Sequence, residues 1–389
     1  MKINIFPIVS SLHEANRINK ETKSLLDELS QNKDFELNIS DVEHLYDADL
    51  SLILIQSGGS EQLFLENYDK LKEPYYLLTY GSNNSLAASL EILSYIKDNK
   101  LKGEVLHGSV NYLSKRFYEL SNKEKCEEKK YKYGVIGKPS DWLIASNVNY
   151  EDALKYHNIE LKDISIEELI RLYDNFDGVT YKFDCDFDHR EMNNAFNLYR
   201  SLQFIQAKYH LDGLTIRCFD LLGKIKTTAC LGLALLNKDK VCCSCEGDIP
   251  TLISMHILKQ TTGQVGFQAN PSKIDIENKK MIFAHCTLPL DMTTSYKYDT
   301  HFESGIGVAI KGELKEEKIT IFKLSNNLKD YYVTTGKIIR NLNESNLCRT
   351  QIEIEVDNNI EYFLNRPYGN HHVIIYGDHK KEIIEYFKK

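Results

Sequence analysis

Through its first third the chain alternates short apolar runs with longer amphipathic stretches: KINIFPIV, EANRINKETKSLLDELS, LSLILIQSGGS, EQLFLENYDKL, PYYLLTYG, SLAASLEILSYIKDN and GEVLHGS. Strands that alternate with helical patterns must point the same way, because each helix carries the chain back to the edge where the next strand starts. Residues 1–130 are therefore expected to form one doubly wound α/β domain. A chain of 389 residues exceeds the roughly 250 to 300 residues at which a single core stops growing, so further domains are expected.

A second α/β pattern occupies residues 131–285. YGVIGKPSDWLIAS, GLTIRCFDLL and KVCCSCEGD read as strands with their following turns. ISIEELIRLYDNF, MNNAFNLYRSLQFIQAKYH and IPTLISMHILKQTTG have helical spacing, the last with Pro250 in its first turn and Gly263 as its stop. From 286 to 389 the texture changes to SGIGVAIKGEL, KITIFKL, YYVTTGKII, RTQIEIEV and HHVIIYGD. Alternating runs with short polar turns predict an antiparallel, barrel-like β-domain. The charged stretch at 122–134 is expected to be a solvated connector.

The formal net charge is -8 with Lys and Glu interleaved, which argues against a nucleic-acid or lipid surface and in favour of small-molecule partners. No run reaches the roughly 18 apolar residues of a membrane helix, and the N-terminus reads as a first strand rather than a leader, so a cytoplasmic protein is expected. Turns at Gly58-Gly59 and Gly81 to Ser85 follow strands, but neither GxGxxG nor GxxxxGK[ST] occurs, so no nucleotide cofactor is expected. Among nine cysteines, Cys218, Cys230, Cys242, Cys243, Cys245 and Cys286 lie in or beside apolar runs. They read as reduced, buried small hydrophobes, since no second Cys or His pair stands at zinc-ligand spacing.

Glu246 and Asp248 stand at the carboxyl end of the apolar run Val241 to Cys245, where α/β proteins place chemistry. Asp248 is equally suited to cap the helix that follows. His285, His301, His371 and His372 each end or open a strand-like run. Carboxylate and imidazole together suit a divalent cation such as Mn²⁺ or Mg²⁺.

CEGDIPTLISMHIL, FQANPS, IFAHCTLP, HFESGIGVAIKG, CRTQ and GNHHVIIYGDH, taken in order with SDWLIAS and NNSLAASLEI upstream, resemble the L-fucose isomerase and L-arabinose isomerase superfamily, in its shorter fucose-isomerase-like branch. The resemblance implies two Rossmann-like doubly wound domains followed by a β-domain. It also implies a metal-dependent aldose–ketose isomerase working through an enediol, and a homo-oligomer. Its metal-binding catalytic Glu falls on Glu246, its metal-binding histidines fall on His285 and His371, and His372 is the alternative to His371. The metal expected is Mn²⁺, with Mg²⁺ or Co²⁺ also compatible. The family's second acidic ligand falls on Ala269, beside Asn270, which can offer an oxygen to a metal but cannot act as a carboxylate base. Either Asp248 or Asp275 would then supply the second carboxylate, with Asp248 the expected catalytic partner of Glu246, or this branch uses a modified mechanism.

Substrate contacts are expected from Trp142, Arg217, His301, Glu303, Arg349, Asn370 and His372. Arg217 and Arg349 carry planar forks that would suit an anionic sugar, or else form internal ion pairs. A deoxyhexose or a pentose fits the resemblance as well as an acidic hexose. The alternative is a non-catalytic sugar-binding or sensing protein on the same fold, favoured by Ala269 and Asn270. No GxSxG or HExxH motif points to a hydrolase.

Overall fold

The computed structural model describes residues 1–10, 15–125, 129–176 and 178–388, as two compact units, Met1–Glu128 and Lys129–Lys389. Residues 126–128 of the expected connector lie outside the described residues.

In the first unit the chain order is β1 (Lys2–Ile8), α1 (Ala15–Ser30), β2 (Glu36–Ile39), β3 (Leu50–Ile55), α2 (Glu61–Glu66), β4 (Tyr75–Leu78), α3 (Ser85–Asp98), β5 (Gly103–Leu106) and α4 (Val110–Lys125). The strands form one parallel sheet in the order β2-β1-β3-β4-β5. Side chains alternate across it. Leu52 and Leu54 pack with Leu29 of α1 and with Leu113 and Phe117 of α4, whereas Ile53 and Ile55 pack with Phe64 of α2 and with Ile92 and Ile96 of α3. The continuous apolar runs in the sequence are what a sheet covered on both faces requires.

The second unit begins with β6 (Tyr131–Ile136), α5 (Tyr150–His157), β7 (Ile159–Ile164), α6 (Ile166–Asp174), α7 (His189–Tyr209), β8 (Gly213–Ile216), α8 (Phe219–Lys224), α9 (Cys230–Lys238), β9 (Cys242–Ser244) and α10 (Ile249–Thr262). Strands β7-β6-β8-β9 make a parallel sheet. One face packs against α6 to α9 through Leu169, Leu202, Leu221 and Leu233. The other lies against α5 and α10.

The remainder comprises β10 (Phe267–Asp275), β11 (Lys280–His285), β12 (Thr293–Asp299), β13 (Ala309–Leu314), β14 (Lys318–Leu324), β15 (Tyr331–Asn341), β16 (Thr350–Val356), α11 (Tyr362–Asn365), β17 (His372–Tyr376) and α12 (Lys380–Tyr386). Strands β10-β11-β16-β15-β14-β17 close into an antiparallel barrel. Phe267, Phe283, Ile319, Ile321, Ile352, Ile354 and Ile374 fill its core, and full burial of one such side chain contributes about 1.5 to 3 kcal/mol.

The barrel differs from the sequence expectation in two ways. It takes in β10 and β11, which precede residue 286. The run SGIGVAIKGEL supplies β13, which pairs with β12 in a separate two-stranded sheet. Local apolar patterning marks a strand but not its partner, so membership of the barrel is decided by pairing across the chain. The alternate residues Phe322, Leu324, Val373 and Ile375 face outward and pack with α10, which thereby sits between the barrel and the parallel sheet.

Candidate metal centre

Cys245 to Asp248 turn the chain from β9 into α10 at the carboxyl edge of the parallel sheet. Glu246 and Gly247 both adopt left-handed backbone, with φ of 63° and 73°. At the second position only glycine fits, because a Cβ would stand 2.6 Å from the Lys138 carbonyl oxygen and 2.6 Å from Pro139 Cα. A non-glycine residue in this region costs about 1 to 2 kcal/mol. Here it is held by two hydrogen bonds, Ser140 N–H to the Glu246 carbonyl and Gly247 N–H to the Ile216 carbonyl, each 2.9 Å. The turn aims the Glu246 carboxylate into a small cleft lined also by Phe219, Asn270, His285, His301 and Glu303.

Three ligand atoms converge there. Glu246, His285 and His371 are all buried, and one donor atom of each lies within 4.8 Å of the other two. Glu246 Oε1 is 3.4 Å from His371 Nε2 and 4.0 Å from His285 Nε2. The far nitrogen of each ring is already engaged: His285 Nδ1 with Thr287 Oγ1 at 2.9 Å, and His371 Nδ1 with Asp248 Oδ2 at 2.9 Å. A partner on Nδ1 fixes ring and tautomer and turns the Nε2 lone pair toward the shared centre. His371 Nε2 is buried without a hydrogen-bond partner, a condition that native interiors rarely leave unmet. The donor set and this orphaned nitrogen fit a divalent cation.

The electrostatics are mutually supporting. Burial opposes ionisation of Glu246, but His371, His285 and the Trp142 N–H together hold its carboxyl down to about 2. Burial likewise opposes charging of His371, and Glu246 and Asp248 outweigh it, raising the imidazole to about 9, so a cation would bind by displacing the proton from Nε2. His285 is pushed down to about 3 by burial and by His371.

Asp248 has a different task from the one expected of it. Its Oδ1 accepts the Thr251 N–H at 2.8 Å and so caps α10, its Oδ2 takes the His371 ring, and Lys323 Nζ lies 3.3 Å from each oxygen. The carboxylate is fully buried. Both oxygens are engaged and Asp248 lies behind His371, outside the lining of the cleft into which Glu246 points. Lys323, itself buried and bonded to Thr251 Oγ1 at 2.6 Å, was not anticipated. The one signal for it was a lysine inside the apolar run KITIFKL.

The other expected residues divide into two groups. Trp142 Nε1 donates to Glu246 Oε2 at 2.8 Å, and its ring stands edge-on to Phe219, which in turn stands edge-on to His301, forming an aromatic wall. His301 and Glu303 line the cleft. Ala269 is packed in the barrel core while Asn270, the next residue along β10, reaches the cleft and accepts a bond from Asn370 Nδ2 at 3.2 Å. Asp275, at the other end of β10, is bound to Asn278.

His372 belongs to the barrel. It bonds to Tyr362 OH at 3.1 Å and to the Asn370 carbonyl at 3.0 Å, packs beside Phe283 and Phe363, and is fully buried. His372 is the first residue of β17 and its ring lies in the barrel core, whereas His371 precedes the strand and its ring lies at the cluster with Glu246 and His285. Arg217 is an internal ion pair: its fork holds Asp141 at 2.6 and 3.0 Å, and its Nε donates to Asp220 at 2.9 Å. Neither His372 nor Arg217, both expected at the substrate, is among the residues that line the cleft. Arg349 donates from Nε to the Thr300 carbonyl at 2.7 Å and lies beside Asp299 and the Phe302 ring. The six cysteines expected to be buried thiols are buried and free.

No protein-family model matches the chain. A stretch of 185 residues is 28% identical to proteins named sulfoquinovose isomerase from Priestia aryabhattai and Priestia megaterium, covering 45% of this chain and 42% of each relative. A protein of the same name from Clostridium sp. is 23% identical over 200 residues, 48% of this chain and 44% of the relative. The chain thus matches less than half the length of each of these curated relatives. Among the described residues no helix is long and apolar enough to cross a membrane.

Proposed function

We propose that the chain is a metal-dependent aldose–ketose isomerase of the L-fucose and L-arabinose isomerase type, acting on an open-chain sugar. The observation that carries this reading is the Glu246, His285 and His371 cluster with its orphaned His371 Nε2. The names of the relatives point to the same reaction class. These three residues would hold the cation, and the resemblance to the isomerase family, rather than the donor set, makes Mn²⁺ the first to be tried. A bound cation supplies Lewis-acid stabilisation of developing charge on sugar oxygens, a contribution of several kcal/mol.

The chain's own residues do the rest. Asp248 and Thr287 hold the two imidazoles in one tautomer, Lys323 balances the buried charge of Asp248, and Trp142 fixes the second oxygen of Glu246. Phe219 and Trp142 offer apolar faces against which the carbon chain of an open sugar can rest, and Asn270 offers an amide to its hydroxyls. Interconversion of aldose and ketose moves one proton between C1 and C2 through an enediol and needs no redox cofactor.

Sulfoquinovose, the sugar in the relatives' names, heads the substrates to be tried. The residues lining the cleft include neither Lys nor Arg, so neutral sugars belong beside it. The second reading, a sugar-binding protein without catalysis, is favoured by Ala269 and Asn270 standing where the family's second carboxylate falls.

NMR of sulfoquinovose, L-fucose and L-arabinose incubated with Mn²⁺-loaded protein in D₂O separates the two. Deuterium at C2 of an aldose with growth of the ketose signals, both lost in Glu246→Gln, is the expected result. Absence of exchange on every sugar with folded, metal-loaded protein would favour the binding role.

A further inference from the structure

An isomerase needs, besides the ligand carboxylate, a group that carries the proton between C1 and C2. The sequence offered Asp248 and Asp275 for this, and neither reaches the cleft: the first is sealed behind His371 and the second is bound to Asn278. Two carboxylates line the cleft, Glu246 and Glu303. We propose that Glu303 is the catalytic proton carrier of this site, a role that rests on the isomerase reading above.

The residue sits in the segment between β12 and β13, whose backbone is fastened around it. His301 N–H bonds to the Ile306 carbonyl at 3.1 Å and Gly305 N–H to the His301 carbonyl at 2.8 Å, while Gly307 N–H bonds to Glu191 Oε2 of α7 at 2.8 Å. Against this frame the Glu303 side chain is half exposed, and its Oε2 lies 3.8 Å from His301 Nε2. The other nitrogen of His301 bonds to Ser304 Oγ at 3.0 Å. A carboxylate anchored at the backbone but not committed at its oxygens can take up and release a proton. Glu246, with one oxygen on Trp142 and the other facing two histidines, is committed.

Burial raises the carboxyl of Glu303 above its ordinary value, the direction that suits a group exchanging protons nearer neutral pH.

The step balances without a co-reactant. Glu303 takes the C2 proton of the open-chain aldose, the C2–H electron pair becomes the C1=C2 bond, and the carbonyl pair moves to O1, which gains a proton from solvent. Glu303 then returns its proton to C1 as the O2 hydroxyl gives up its own to solvent and the C2 carbonyl forms. His301 is the neighbouring positioning residue.

The test compares wild type, Glu303→Gln and Glu303→Asp as full chains. Calorimetric titration with Mn²⁺ is read alongside deuterium incorporation from D₂O into the sugar on which wild type is active. Expected is Mn²⁺ affinity within about threefold of wild type in both variants. Exchange should fall by about 10² to 10⁴ in Glu303→Gln, the span general acid–base groups contribute, with partial recovery in Glu303→Asp. Wild-type exchange rates in Glu303→Gln would sink this role alone, and loss of Mn²⁺ in a folded Glu303→Gln would make Glu303 a ligand and overturn it. Absence of both deuterium exchange and ketose formation by wild type on all sugars would sink the isomerase reading, and the proton-carrier role with it.

Discussion

Asp248 and His371, 123 residues apart in sequence, are joined at 2.9 Å between Oδ2 and Nδ1, and the same carboxylate caps α10 and faces buried Lys323. The helix start, the barrel and the candidate metal centre thus meet at one side chain.

Asp248→Asn keeps the cap but loses the charge that orders His371 and neutralises Lys323. Mn²⁺ affinity should fall about 10- to 100-fold, the usual effect of removing a carboxylate behind a ligand histidine. Urea unfolding should show a loss of about 3 to 5 kcal/mol from the uncompensated lysine. Adding Lys323→Met should restore most of the stability and none of the affinity, which separates the two roles.

Trp142, the one tryptophan of the chain, donates to Glu246 Oε2, so its fluorescence should report the centre directly. Titration with Co²⁺ should quench the emission in wild type and leave it nearly unchanged in Glu246→Gln or His371→Ala. A chelator should reverse the quenching and lower the melting temperature, since a ligand that binds only the folded state stabilises it by mass action.

Gly247→Ala should destabilise the second unit by at least about 2 kcal/mol, because its left-handed backbone penalises any Cβ and that atom would meet Lys138 and Pro139. Gly263→Ala, also at positive φ but with open space around the added atom, should cost about 1 kcal/mol. Urea midpoints of the two variants provide the comparison.

His256 governs part of the acid stability. Its ring is buried, bonded to Tyr133 OH at 2.8 Å and edge-on to Tyr131, and burial lowers it to about 3. In the unfolded chain it titrates near 6.5. The unfolded state therefore binds the extra proton between these values. The contribution is fully present above pH 6.5 and is lost as pH falls toward 3, by up to about 1.4 kcal/mol per pH unit. His256→Gln should flatten the slope of stability against pH between 6.5 and 4, measured by urea unfolding.

What the sequence by itself determined was local. Apolar runs separated by helical spacing marked the parallel sheets, because a strand buried on both faces has to be apolar throughout. The step from Cys245 through Glu246 and Gly247 to Asp248 and Pro250 marked a strand end and a capped helix start, because those residue types follow from backbone geometry at that point. Tertiary structure decided everything that depends on pairing. Strand partners placed β10 and β11 in the barrel, which buried Ala269 and turned Asn270 to the cleft. His371, just before β17, reached the centre, while His372, the first residue of the strand, entered the core. Asp141 claimed the fork of Arg217, and Lys323, carried on a strand about 75 residues beyond Asp248, closed the charge balance that fixes His371. Such contacts join residues far apart along the chain, and no local pattern of sequence encodes which of them will meet.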